Sequence, residues 1–502
     1  MLKSRTLDDD TSLEREVPWH SMAAFGVGCV ADNIKNFAWD LFILFFYTQV
    51  LGLSGTLTGL ALLVALVFDA ISDPYVGFLS DRARGLPLGR RHSFMLFATV
   101  PFALCFYTLF TPPEGLGQLG LFAWLVTFGV LSRFFMTFFA VPIRAVGAEL
   151  SRDVSVRPKI IAYGALGLTL GRVSLPVIAF SYFFVANEQY SSGQLDPANY
   201  PPFAVAFSII CVATMLIGIA GTYGPIREIE ALEADAPRPR IGPLEGIKAL
   251  VSAMTVTPNV RWSFILALVV FFSIVSISVL KVHIVTYLWQ TPPDLTKWIV
   301  SAQYIGTGIS SFMLPFLFKR IDRKLCISVG MAGFTVLSAL AVLLPMYGVL
   351  PPPASRELGY ILIGIFLIAG LLLGVYFIAI GALSADVADE HEVNTGRRQQ
   401  ALIGGFGMFA IKAAGGLMTL FTGVFLDLIA FPVGAPVGSV PAEKVAALGH
   451  FSAGLCILGA VFVLLTVSRL DTSLAKQQEI NRRLLATMRA GASEVPTETL
   501  KD

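Results

Sequence analysis

Charge is scarce in this sequence: Asp, Glu, Lys and Arg make up 14% of 502 residues, while 55% are hydrophobic. Soluble domains carry about 25% charged side chains, so the shortage marks a polytopic membrane protein. A net charge of +2 lacks the strongly basic footprint of a nucleic-acid binder, and none is expected as a partner. Paired cysteines are also missing. Cys29, Cys105, Cys211, Cys326 and Cys456 are far apart, in or beside apolar segments, with no CxxC or Cys/His spacing. They read as free packing thiols, with neither disulfide nor metal centre expected. The first nineteen residues carry five acidic side chains and no apolar core, so no cleavable signal peptide is expected and the first span serves as its own insertion signal.

What the chain does have is apolar runs of about 20 residues, the length that crosses a bilayer. They lie near 22–48, 56–80, 92–111, 119–143, 158–185 and 202–223, then near 261–289, 298–317, 325–346, 357–383, 400–430 and 447–468. The expectation is an all-α protein of twelve transmembrane helices in two six-helix halves. The parts are an N-terminal segment 1–21, a first bundle 22–223, a linker 224–260, a second bundle 261–468 and a tail 469–502. The linker is rich in charge and proline, with a short amphipathic helix expected near Leu244 to Met254. Lys and Arg crowd alternate loops, at Arg82, Arg84, Arg90 and Arg91, at Arg152, Arg157 and Lys159, at Lys319, Arg320, Arg323 and Lys324, and at Arg397 and Arg398. The other loops hold only Lys297, Arg356 and Lys444. Both termini are therefore expected on the cytoplasmic side of a cell membrane, the inner one in a bacterium.

Inside the second run, Asp69 and Asp73 are four residues apart, so on a helix they share one face, with Ser72 beside them. An intramembrane charge costs about 2.5 to 3.5 kcal/mol at the bilayer centre, so such a pair normally faces a polar interior and shares a cation or proton. Oxygen ligands suit a hard cation, Na+ or H+ being the simplest. The plainer reading is a pair neutralised by a buried Lys or Arg.

The halves repeat: SDRARGLPLGRR follows the second run and FKRIDRKL the eighth. Duplicated halves place a substrate at their interface near the midplane. This layout resembles the major facilitator superfamily. FDAISDPYVGFLSDR, FFAVPIRAVGAELSRDVSVR, ADVADEHEVNTGRRQQ and FAIKAAGG resemble, more closely, the glycoside-pentoside-hexuronide:cation symporters typified by melibiose permease. The resemblance runs from about Phe25 to Arg469. It implies a coupling-cation site at Asp69, Asp73 and Thr137, with Ser72 where melibiose permease has asparagine, and Lys412 nearby. It also implies no cofactor other than the ion, a small-molecule substrate, a bilayer and a monomer. The galactoside site is not preserved. Asn33 and Ala140 stand where that permease has its two sugar aspartates, Arg144 where it has its stacking tryptophan, and Ala165 where it has an arginine.

Arg133, Thr137, Ala140 and Arg144 share a helical face. Arg172, Lys281, His283 and Lys412 are further basic groups at membrane depth, facing a polar stripe of Asp32, Asn33, Lys35, Asn36 and Asp40. Asp32 can neutralise Lys35 three residues on. Guanidinium pairs bidentately with carboxylate, sulfonate or phosphate, so the expected substrate is an organic anion, a uronide or sulfosugar, with Asn33, Asn36, Asp40, Arg133, Ala140, Arg144, Lys281 and Lys412 around it. The alternative is that the arginines are tied to Asp32, Asp40 or helix ends and only hold the bundle. His283 alone reads as a packing histidine. Charge networks of Asp81 with Arg82, Arg90 and Arg91, and of Asp386, Asp389 and Glu390 with Arg397 and Arg398, are expected to join the halves and set the balance between inward and outward states. The reading is a Na+-coupled symporter. Its rivals are a lysophospholipid symporter, kept open by Phe134, Phe135, Phe138 and Phe139 and by the related branch of lysophospholipid symporters that shares an FxVP segment, a neutral glycoside symporter, and a transporter-like receptor. An intramembrane hydrolase is disfavoured, because both aspartates lie on one helix without Gly-x-Gly-Asp surroundings.

Overall fold

Backbone polar groups in a bilayer must find partners within the chain, so long apolar runs close as helices. The computed structural model describes residues 17–83, 86–151, 153, 156–232, 252–313, 322–396, 400–471, 476–480, 482–484 and 486. Among these the fold is all helical, with no strand. The long helices of the first part are α1 (Trp19–Ala38), α2 (Gly55–Arg82), α3 (Gly89–Leu109), α4 (Gln118–Glu149), α5 (Arg157–Ile178) and α6 (Tyr200–Leu232). Those of the second are α7 (Pro258–His283), α8 (Pro293–Met313), α9 (Arg323–Met346), α10 (Arg356–Thr395), α11 (Gln400–Leu428) and α12 (Ala442–Arg469). Ten of the described helices are long and apolar enough to cross a membrane; α1, with Asp32, Asn33, Lys35 and Asn36, and α8, with Asp294, Lys297 and Gln303, fall outside that set.

The helices pack within each part and meet across it at matched places. In the first, α1 packs on α5 and α6, α3 on α4 and α6, and α2 on α4; in the second, α10 packs on α8 and α9, α12 on α7 and α9, and α7 on α11. The joint is made by α2 with α11 and by α5 with α8. Pairing each helix with the one six places on turns the first contact into the second, the signature of a duplicated fold. The ends of α1 and α7 repeat too. Both continue in wider i→i+5 turns, Trp39–Ile43 and Phe46–Val50 after α1 and Ile284–Trp289 after α7, a pattern associated with functional segments.

The apolar lengths underestimate several helices. α4 runs on to Glu149 and α10 to Thr395, so Glu149, Asp386, Asp389 and Glu390 stand on helical extensions, where their partners are fixed by helix register. Arg84, Arg152, Lys319, Arg320, Arg397 and Arg398, and nearly all of the linker with its expected amphipathic helix, lie outside the described residues.

Within the second part, α8 and α10 touch backbone to backbone. A Cβ at Gly370 would lie 2.0 Å from the Gln303 carbonyl oxygen, and one at Gly306 would lie 2.3 Å from that of Leu367. Small residues permit this approach in a medium where packing rather than water exclusion drives association. Gly370→Leu is expected to cost ~1–3 kcal/mol of overpacking, read as a lower melting temperature of the purified protein; an unchanged melting temperature would contradict this packing.

Candidate cation and substrate site

The contacts of α2 with α4 and α11 bring three helical faces together around Asp69. One turn apart on α2, Asp69 and Asp73 meet Arg133 and Thr137, one turn apart on α4, and Lys412 of α11. Arg133 Nη1 donates to Asp69 Oδ2 at 2.9 Å. The Lys412 ammonium donates to Asp69 Oδ2 at 3.0 Å, to Asp73 Oδ2 at 2.6 Å and to the Asp69 carbonyl at 3.2 Å. Its three protons are thus all engaged. The Thr137 hydroxyl lies 3.0 Å from Oδ1 of each aspartate and 3.1 Å from the Arg133 carbonyl. With one proton it serves one of these oxygens at a time.

The two bases are held differently. The Arg133 guanidinium lies 4.2 Å from the centroid of the Trp39 ring, and its side chain is 4% exposed. That cation-π contact and the ion pair lock it in place. Lys412, 13% exposed, has a flexible stem and stands at the open edge. The cluster of two carboxylates and two bases is electrically neutral as it stands. A metal ion entering it leaves an excess positive charge unless a base moves away. Ser72 turns its hydroxyl to the Asp69 carbonyl at 3.2 Å, so its oxygen faces the helix backbone rather than the carboxylates.

A second cluster forms between α1 and α4. Arg144 Nη2 donates to Asp32 Oδ2 at 2.9 Å, while Lys35 and Asn36 reach Asp32 Oδ1 at 3.2 and 3.1 Å. The acceptor is thereby filled. Arg144, with its side chain 48% exposed, keeps further N–H groups facing outward from the pair. Asn33 donates to the Cys29 carbonyl. Asp40 faces the charges of Arg172, Arg133 and Lys35, and Arg172 lies over the Tyr304 ring. Ala140 is buried on the same α4 face.

One expected site residue, Lys281, stands elsewhere, and His283 packs as expected. The Lys281 ammonium is buried 3.3 Å from the Phe366 ring centroid, with the Trp289 ring beyond, on the side of α7 turned into its own bundle. His283 is fully buried with its ring edge on Phe45, a packing position. The phenylalanines of α4 also pack rather than line the interior: Phe134, Phe135 and Phe138 stack with Phe68, Phe94 and Phe97, and Phe139 is fully buried.

The ion pairs seen among the described residues at the arginine-rich end join partners within one half, while Arg397 and Arg398, expected in these networks, lie outside those residues. Arg91 pairs with Asp81 at 2.5 Å and with Glu149 at 2.7 Å, and donates to Ser80. Arg90 reaches the same Glu149 at 3.3 Å, whereas Arg82 lies over the Phe78 ring. In the other half Asp386 pairs with Arg323 and accepts from Gln477 at 2.8 Å, and Glu390 binds Asn259 and Lys476 at 2.6 and 2.8 Å. Burial opposes the Lys476 charge, but the Glu390 and Asp471 carboxylates more than offset it, and its pKa is raised. Asp389 stands half-buried beside them. Sequence reasoning missed Trp39 and Glu149. Its signals there were an indole one turn from the Lys35 face and an acid closing a helix that begins opposite the arginines.

Residues 24–471, nearly all of the apolar chain, match the family described as MFS/sugar transport protein. The chain belongs to this family. The putative glycoside/cation symporter YagG of Escherichia coli (strain K12) is 22% identical over 486 residues, covering 94% of this chain and 96% of that one. The glucuronide carrier protein homolog of the same organism is 23% identical over 396 residues, covering 78% and 79%. Among solved structures, the inward-open xylose transporter XylE from E. coli matches with a TM-score of 0.58 at 13% identity, over 92% of this chain and 98% of that one, a likeness of fold. This family member is accordingly a multi-pass membrane transporter of an organic solute and not an enzyme, which removes the hydrolase reading. Its buried ion cluster carries a test that needs no substrate. Removing one partner leaves an uncompensated buried charge at a cost of about 3–5 kcal/mol. Arg133→Gln is expected to lower the melting temperature sharply, and Asp69→Asn with Arg133→Gln to recover much of the loss. Strictly additive losses in that double-mutant cycle would mean that the pair is not coupled.

Proposed function

We propose that the protein is a cation-coupled symporter that imports an organic anion, a uronide or sulfosugar, with Na+ as the coupling ion at Asp69, Asp73 and Thr137. One observation carries the reading: the two carboxylates of α2 are bridged by a movable ammonium, Lys412, rather than only by the locked Arg133. Na+ enters by displacing Lys412 from Asp73, which restores neutrality around the carboxylates and leaves an ammonium free between the halves. That ammonium and the exposed side of Arg144 then hold the anion, with Asn33, Asn36 and Asp40 as polar contacts. α1 and α8 cross the membrane with the other ten helices, giving twelve spans in two six-helix halves. The arginine-rich end faces the cytoplasm, as Arg82, Arg90, Arg91 and Arg323 on that side support. A membrane potential negative on that side contributes about 2.3 kcal/mol per charge per 100 mV. The kinship with a glucuronide carrier homolog supports an anionic sugar, and the packing of Phe134, Phe135 and Phe138 on Phe68, Phe97 and Phe94 supports it over a lysophospholipid.

Uptake of radiolabelled glucuronide, sulfosugar and neutral glycoside into proteoliposomes, with and without a Na+ gradient, tests this reading. Asp73→Asn is expected to abolish Na+-driven accumulation while leaving the protein folded; undiminished uphill uptake would remove the ion from this site. Arg144→Gln removes a charged hydrogen bond worth about 1.5–3 kcal/mol. The half-saturating concentration of the anion should rise about tenfold or more, with no change for a neutral glycoside. An equal change for both would assign Arg144 to the scaffold.

A further inference from the structure

Asp427 stands at the end of α11 where the helix dipole disfavours a carboxylate. Its oxygens are taken by the start of another helix. The Ser54 hydroxyl donates to Asp427 Oδ2 at 2.7 Å, the Gly55 amide to Oδ1 at 2.8 Å and the Thr56 amide to Oδ2 at 2.7 Å. Gly55 and Thr56 open α2, and their N–H groups are among the four that a helix cannot satisfy from within. The carboxylate of one half therefore caps a helix of the other. The α11 terminus has its own partner, since Lys444 donates to the Ala430 carbonyl.

The cap depends on close backbone approach. A Cβ at Gly423 would lie 2.0 Å from the Gly55 carbonyl oxygen, one at Gly55 would lie 2.3 Å from that of Gly423, and one at Gly59 would lie 2.6 Å from Leu420 Cα. The loop before α2 is pinned in turn by Gln118, which accepts from the Ser54 amide at 2.9 Å and donates to the Gly52 carbonyl at 2.7 Å. Other bonds join the halves at this same end. Tyr287 donates to Gln49 at 3.0 Å, Gln194 to Thr286 at 2.8 Å and Lys297 to Ser181 at 3.0 Å. All of them lie opposite the end that carries Arg82, Arg90 and Arg91. In alternating access this end must part when the site opens to its side.

We propose that Asp427 is a positioning residue for the transport step, a latch that holds this end closed by capping α2 across the joint. Opening the site to that side breaks the cap, exposes the Gly55 and Thr56 amides to water and leaves the carboxylate at the unfavourable end of its own helix. The proposal requires only that the protein alternates between two open states, and not the identity of the ion or solute.

The test is maleimide labelling of the purified protein in nanodiscs, with Phe45→Cys as the reporter. Phe45 is fully buried against His283 of the other half, so a thiol there reacts when this end opens. Mass spectrometry reads position 45 separately from the native Cys29, which is partly exposed beside Asn33. A lost helix cap and a shifted two-state balance predict labelling at position 45 about five- to tenfold faster in Asp427→Ala, with slower labelling of Cys29 as the opposite end closes. Asp427→Glu should restore the original rates. Faster labelling at both positions would mean general loosening and would overturn the proposal, as would unchanged rates in both Asp427→Ala and Asp427→Asn. Should the alanine variant fail to fold, a Ser54→Cys, Asp427→Cys disulfide in the Phe45→Cys protein decides: labelling at position 45 that stops on oxidation and resumes on reduction supports the latch, and labelling that continues while cross-linked refutes it.

Discussion

The structure depends on a charge balance that water cannot supply. Asp69 is 3% exposed between membrane helices, where an unpaired carboxylate would take up a proton or unfold its surroundings. It is kept by Arg133 and Lys412, each bonded to the same oxygen at 2.9 and 3.0 Å. This demand fixes the positions of α2, α4 and α11 relative to one another, because the partners come from all three. Between α2 and α11 it also ties the two halves together through the Lys412 stem. A contact made there by a flexible ammonium, with glycine contacts further along, can be broken without repacking large side chains.

The asymmetry between the two ends follows. Along α2 and α11 the backbones touch at Gly55 and Gly423, while about 17 Å further along α11 and about 27 Å along α2 the helices are spanned by the length of a lysine. At the other end, among the described residues, ion pairs form within each half, Arg91 with Asp81 and Glu149, and Asp386 with Arg323. Such pairs help to hold each half as a unit. They stiffen the moving parts and so let motion concentrate at the joint between α2 and α11 and at its counterpart between α5 and α8.

Much of this was legible in the sequence, for physical reasons that differ by feature. The helices declared themselves by length and hydropathy, α1 and α8 included despite their polar residues, except where charged extensions lengthened α4 and α10. Asp69 and Asp73 could be paired by their spacing on one helix, and Thr137 and Lys412 joined them through the resemblance to the cation symporters. Their bonds could not be read, since spacing on one helix says nothing of which neighbour faces it. Arg133 shows the difference. Its register placed it correctly on the Thr137 face, but only the fold reveals that it answers Asp69 and Trp39. In the networks Asp81 was paired with Arg91 as the structure has it, and the additional partners Glu149 and Asn259 offered no pattern of their own.

The remaining question is what the interior is built to receive, and the sum of its charges bears on it. Between the halves stand four acids, Asp32, Asp40, Asp69 and Asp73, and five bases, Lys35, Arg133, Arg144, Arg172 and Lys412. One positive charge is in excess, and it belongs to the Asp32 cluster, where Lys35 and Arg144 share a single carboxylate. Of these two, Lys35 is buried and Arg144 half exposed, so the excess is presented at Arg144. A neutral solute would leave that charge unanswered in a medium that penalises it, and a bound Na+ would add to it. A singly charged anion answers the excess at Arg144. In the proposed cycle the charge that Na+ adds falls on the Lys412 ammonium it displaces, which gives the anion a second cation to bind, so ion and solute favour each other's entry.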